Sequence, residues 1–200
     1  MKILAIGDIH GDSALAKKIA EQAKDNKVDL VVITGDLTNF DQFEKGMIDN
    51  FIKNDQKVVF VPGNHDDPIT MDVLAETYKI KNIHGYGMKL NDKIGMFGCS
   101  AVNIGEHSLE EKEIFDLLDK SHKYIQSLDK KIMVTHVQPK GSLMDKFGMF
   151  KGSDAVTKAI KEFEPDVLLC SHTHEAKGIE ETIGKTRVIN VSKEPKIIDF

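Results

Sequence analysis

Five short apolar runs in this chain each break off into a cluster of Asp, Asn, His and Gly, and that repeated ending constrains the fold more than any other feature. Residues 2–7 (KILAIG) lead into Asp8-Ile-His-Gly-Asp12, residues 29–34 (DLVVIT) into Gly35-Asp36, and residues 57–61 (KVVFV) into Pro62-Gly-Asn-His-Asp-Asp67. Residues 131–135 (KIMVT) end at His136, and residues 166–170 (DVLLC) end at Ser171-His-Thr-His174. Short apolar runs bounded by turn residues read as buried strands. Between the first three lie helical patterns: Leu15, Ile19, Ala20 and Ala23 behind a cap at Asp12 or Ser13, then Phe43, Met47, Ile48 and Phe51 over residues 42–53. Pro68 suits the first turn of a third helix running to about Tyr78. A β-α-β-α order predicts parallel strands with helices packed outside them. Ligand sites in such sheets lie outside the carboxyl ends of the strands, so the five polar clusters are expected to share one rim.

The texture changes after residue 80. Residues 81–84, 86–90 and 93–98 read as short strands, with Asn91-Asp92 as a two-residue hairpin turn. A charged helix follows over residues 109–127, Ser153 caps another reaching Phe163, and the last thirty residues read as a meander turning at Gly184-Lys185. The whole of residues 1–200 is expected to form a single α/β domain, with one mixed sheet or two stacked sheets. The net charge of -5 supplies no basic footprint for duplex nucleic acid. No run approaches the ~20 apolar residues of a membrane span, and residues 3–7 are too few for a secretory core. Cys99 and Cys170 read as buried reduced thiols, and a cytoplasmic protein is expected.

The strand-end clusters are chemically of one kind. They offer carboxylate, carboxamide and imidazole groups without a thiolate, a mixed O/N set that suits Mn, Fe, Zn, Co or Ni better than Ca or a structural zinc. Asp8, His10, Asp36, Asn64, His136, His172 and His174 exceed what one tetrahedral ion can use, so two ions are expected. In Asp-x-His and His-x-His, donors at i and i+2 of an extended strand end would point to the same side. Asp36, arriving from a middle strand with two oxygens, could bridge the pair. Five of the eight histidines fall in these clusters, which a rim of ordinary turn residues does not explain.

The ordered set Asp-x-His, Gly-Asp, Gly-Asn-His-Asp, His and His-x-His resembles the calcineurin-like metallophosphoesterases, over Gly7 to His174. The resemblance implies a four-layer αββα sandwich, two mixed sheets stacked face to face with helices outside. It implies that Asp8, His10 and His174 hold one divalent metal, that Asn64, His136 and His172 hold a second, and that Asp36 bridges them beside a hydroxide. Manganese is the foremost expectation, with Fe, Zn, Co and Ni open. His65 would contact a phosphate oxygen and protonate the leaving group, with Asp66 or Asp67 as its orienting partner. Two departures stand out. Ser171 precedes the histidine pair where the family usually has glycine, and Asp36 continues as Leu-Thr-Asn-Phe rather than the Asp-Arg-Gly of protein Ser/Thr phosphatases.

The expected activity is hydrolysis of a phosphodiester or phosphomonoester of a small molecule or nucleotide. A catalytically silent scaffold of the same fold is the alternative, and a nuclease comes behind it. His107 and the lysines Lys140 and Lys146, in the long segment after His136, are candidate substrate contacts alongside Asn64 and His65. His84 reads as structural and His122 as solvated. No membrane partner is expected, and a homo-oligomer is left open.

Overall fold

The apolar runs form two sheets in a computed structural model of the chain, which describes residues 1–40, 42 and 46–200. Strands β1 (Lys2–Ile6), β2 (Leu30–Ile33), β3 (Val58–Phe60) and β4 (Lys81–Asn82) lie parallel in the first sheet. The second holds β5 (Tyr86–Lys89), β6 (Ile94–Gly98), β7 (Lys130–Val134), β8 (Val167–Cys170), β9 (Glu180–Ile183) and β10 (Thr186–Asn190), in the order β5-β6-β7-β8-β10-β9. Its inner four strands are parallel and its two edges antiparallel. Strand β11 (Lys196–Asp199) returns to the first sheet and pairs antiparallel with β1.

Strands β2, β3 and β8 read as unbroken apolar runs because both of their faces are buried. Ile3, Ala5, Leu30, Val32 and Val59 meet Ile132, Val134, Leu169 and Ile189 between the sheets. The alternate residues Leu4, Ile6, Val31 and Ile33 face outward onto helices α1 (Ser13–Asp25), α2 (Asp49–Ile52) and α3 (Pro68–Tyr78). Met133, Leu168 and Val188 face the other way, onto α4 (Glu111–Lys123), α5 (Leu143–Phe147) and α6 (Asp154–Phe163). The result is the four-layer αββα sandwich. No helix among the described residues is long and apolar enough to cross a membrane.

Several local expectations give way to tertiary context. Of the helix expected over residues 42–53, the described residues are helical at Asp49–Ile52, with Gln42 bridged to Asn39; residues 43–45, Phe43 among them, lie outside the described residues. Leu90 N–H donates to Ile94 C=O and the Asn91 side chain caps Lys93 and Ile94, so the hairpin turn spans three residues, not two. The terminal meander is only the β9–β10 hairpin, because the exposed edge of β1 takes β11. His122 is not on a solvated face: its ring stacks on Phe163 at 4.4 Å where α4 meets α6. His84 Nδ1 accepts a hydrogen bond from Ser100 N–H, a structural role as expected.

Candidate metal centre

The centre lies where β1, β2, β3, β7 and β8 end. Asp8 and His10 follow β1 with φ of 58° and 48°, Asp36 follows β2 at 52°, and His172 follows β8 at 71°. The extended geometry expected for Asp-x-His and His-x-His is therefore absent, and left-handed backbone, not the strand pleat, turns these donors inward. Non-glycine residues in that region cost of order 1–3 kcal/mol each and persist where surrounding structure holds them. Here the restraint is a ladder between loops. The N–H groups of Asp8, His10 and Gly11 donate to the carbonyls of Gly35, Asp36 and Leu37 at 3.0, 2.8 and 2.9 Å.

The seven candidate ligands converge. His174 Nε2 lies 3.5 Å from Asp8 Oδ2 and 3.3 Å from His10 Nε2. His136 Nε2 lies 2.9 Å from Asn64 Oδ1 and 3.2 Å from His172 Nδ1. Asp36 Oδ2 stands 3.6 Å from both His10 Nε2 and His136 Nε2, between the two groups. The trios Asp8–His10–His174, His10–Asp36–His65 and Asp8–Asp36–His136 each bring ligand atoms within 4.8 Å of one another. Asp8 Oδ1 is buried without a hydrogen-bond partner among the described residues, and leaving such an atom unpaired costs about 1–3 kcal/mol, a cost a coordinated cation removes. The residues present thus fit divalent metal.

His136 is aimed by groups behind it. Its Nδ1 lies 2.9 Å from the Thr34 carbonyl and 3.0 Å from Ser171 Oγ, and Ser171 Oγ–H donates to the same carbonyl at 2.8 Å. A carbonyl only accepts, so Nδ1 carries the proton and Nε2 faces the centre, the arrangement that backs metal-bound imidazoles. The serine before the histidine pair is therefore a working part and not merely a small residue. Its signal in the sequence was a hydroxyl where the resembled family has none.

The Gly63–Asp67 segment is fixed by Asp66. This buried carboxylate accepts from the N–H groups of Gly63, Leu37 and Thr38 at 2.8, 3.2 and 2.8 Å, while Asp67 caps α3 through Thr70 N–H. The buried Nδ1 of His65 has no hydrogen-bond partner among the described residues, so the expectation that Asp66 or Asp67 orients that ring is corrected. His65 N–H donates to Asp36 Oδ1 at 2.9 Å, and its ring is held by Phe40 at 4.1 Å and His10 at 4.7 Å. Phe40 was missed in the sequence; an aromatic within the polar stretch after Asp36 was its only signal. At Gly63 an added Cβ would lie 2.1 Å from Asp36 Oδ1. Gly63→Ala is expected to displace that carboxylate and cut metal affinity about 10–100-fold, the range seen when groups supporting a ligand are disturbed. Calorimetric titration with manganese checks it; unchanged affinity would contradict it.

Protonation is strongly biased here. Burial, with help from His136, holds the His172 imidazole at about 3. Burial also brings His10 to about 4, against the opposing pull of Asp8 and with help from His65, His174 and Lys193. Both therefore present lone pairs at neutral pH. Burial pushes Asp8 up, but the His174 hydrogen bond and His136 outweigh it and bring the carboxyl to about 2. For His136, burial pulls down, yet Asp36 and Asp8 hold it above its ordinary value, a concentration of negative charge suited to a cation. The two depressed histidines favour the folded state above the unfolded value of about 6.5, and that contribution drains away as pH falls toward 3–4. The melting temperature of chelator-treated protein is expected to fall on acidification from about pH 7 to 4. A flat profile would contradict the shifts.

The candidate substrate contacts are less concentrated. A cavity of about 170 Å³ over the ligands is lined by His65, Gly148, Met149, Phe150, Thr173 and Glu175 among others, but by neither Lys140 nor Lys146. Lys140 is paired with Asp154, and Lys146 is exposed on α5. His107 lines a separate hollow behind the Gly63–Asp67 segment, next to His84 and Lys120.

The sequence model of the calcineurin-like phosphoesterases matches residues 1–176, and the chain belongs to that family. No curated protein matches it. Among solved structures, TT1561 of Thermus thermophilus is 18% identical with a TM-score of 0.78, covering 96% of this chain and 90% of that one. A dimetal phosphatase from Danio rerio is 11% identical with a TM-score of 0.59, covering 95% of this chain and 86% of its own. A novel archaeal phosphodiesterase is 17% identical with a TM-score of 0.56, covering 95% and 82%. At these identities the likeness shows the fold.

Proposed function

We propose that this chain is a phosphoesterase with a dinuclear metal centre, acting on a phosphate ester of a small molecule or nucleotide. Asp8, His10 and His174 would hold one divalent ion and Asn64, His136 and His172 the other, with Asp36 shared between them. The observation that carries the reading is the convergence of these donors from five strand ends, with buried Asp8 Oδ1 unpaired. Bound divalent ions supply positive charge for the phosphoryl oxygens and lower the pKa of water to near neutrality. The chain's own groups do the rest. His65 stands in the cavity wall next to the ligand Asn64, where an ester oxygen would sit. His65 would hydrogen-bond that oxygen and return a proton to the leaving group; its ring is held by Phe40 and His10, and its N–H is anchored on Asp36. Manganese is the metal we assign first. The free, buried thiols Cys99 and Cys170 suit a cytoplasmic setting.

The test is chelator-stripped protein resupplied with manganese, its metal content measured and its turnover followed on nitrophenyl phosphate and bis(nitrophenyl) phosphate. Two ions per chain and turnover of at least one ester are expected. Neither ester cleaved and no pair of ions bound would point instead to a scaffold.

A further inference from the structure

Apart from the ions its ligands would hold, the cavity draws little positive charge from the described side chains around it. Among the described residues no lysine or arginine lines it, and apart from the ligands and His65 its one ionisable wall residue is Glu175, exposed just after His174. Lys193 is near enough to depress His10 but stands outside the wall, and Lys140 is tied to Asp154. A phosphomonoester carries a charge of roughly −1.5 to −2 at neutral pH; beyond the charge that bound metal ions would offer either ester, its extra charge would meet the Glu175 carboxylate and, among the described residues lining the cavity, no side-chain cation. A phosphodiester carries a single negative charge and substitutes a second organic group for that excess charge.

Aromatic surface lies in and beside the same opening: Phe150 lines its wall, and Phe40 packs on the wall residue His65. Phe40 is 70% exposed, holds a left-handed φ of 48°, and packs on His65 at 4.1 Å. Phe150 is 46% exposed, with its ring 5.7 Å from that of His172. Neighbouring Met149 is 83% exposed, and Gly148 approaches Thr173 so closely that a Cβ there would lie 2.8 Å from its hydroxyl. A bulky side chain in left-handed backbone is a strained, uncommon state that clusters at ligand sites. Two exposed rings, one packed on His65 and one 5.7 Å from His172, offer faces on which a planar group of the substrate can stack.

We infer that the site selects phosphodiesters over phosphomonoesters, and among diesters those bearing a planar aromatic group that stacks on Phe40 and Phe150. This rests on the phosphoesterase reading above. The test compares four esters that release the same nitrophenol: nitrophenyl phosphate and its methyl, nitrophenyl and thymidine diesters. With manganese-loaded protein, kcat/KM for the bis(nitrophenyl) diester is expected to exceed that for the monoester by about tenfold or more, and Glu175→Gln to narrow the gap. In Phe40→Ala and Phe150→Ala the aryl-over-methyl preference should fall about threefold to tenfold. A thymidine diester cleaved ahead of the methyl one would identify a nucleobase as an accepted aromatic group; parity with methyl would restrict the class to simple aryl groups. Binding gives a second readout, since diphenylphosphinate and phenylphosphonate cannot be hydrolysed: calorimetry should show the singly charged phosphinate binding tighter. A monoester handled as well as the diesters, or variants with an unchanged aryl-over-methyl ratio, would overturn the inference alone. No turnover of any ester would remove the phosphoesterase reading and the inference with it.

Discussion

Replacing Asp36 by asparagine is expected to lower turnover by more than about 100-fold, beyond the loss typical of groups that merely support a ligand. Asp36 Oδ2 stands 3.6 Å from a histidine of each trio, while Oδ1 accepts the His65 N–H at 2.9 Å. No other side chain among the described residues touches both halves of the centre and the proposed acid. An amide keeps the shape but loses the charge and one acceptor, so its NH2 must face either the His65 N–H or the imidazoles. The fold should tolerate the change. Burial pushes the Asp36 carboxyl above its usual range despite His136, so a neutral group relieves a desolvation cost. Metal content and melting temperature, measured beside turnover, separate the two effects. Wild-type turnover with two ions retained would contradict the shared role.

His65→Ala is expected to bind metal normally and still lose about 10²–10⁴-fold in turnover, the contribution typical of a positioned acid or base. Its imidazole belongs to neither proposed trio and lies edge-on to His10 at 4.7 Å with Phe40 against it. Only its backbone N–H touches Asp36, and alanine preserves that N–H. Loss should concentrate in esters with poor leaving groups, which need the proton most, and shrink for nitrophenolate. An equal loss across leaving groups, or release of metal, would assign His65 a structural part instead.

The strands and their rim could be read from the chain because inner strands buried on both faces must be apolar throughout, as with Leu30–Ile33 and Val167–Cys170. The candidate ligands were legible for the opposite reason, as polar residues placed where such strands stop. What escaped was set at a distance in sequence. The Thr34 carbonyl behind His136 spans 102 positions, and a backbone oxygen has no signature in a sequence. Asp66 looked available to His65, yet the unpaired N–H groups of Leu37 and Thr38 claim it from the neighbouring strand end. The left-handed turns at Asp8, His10 and His172 were hidden because non-glycine residues rarely announce that conformation. Phe40 and Phe150 could be seen as aromatics but not as neighbours of two particular histidines.

Anomalous diffraction from manganese-soaked crystals would place the ions themselves. Two peaks about 3.5–4 Å apart are expected, one within reach of Asp8, His10 and His174 and the other of Asn64, His136 and His172, with Asp36 touching both. A single peak at saturating manganese, or two peaks not joined by Asp36, would contradict the dinuclear centre.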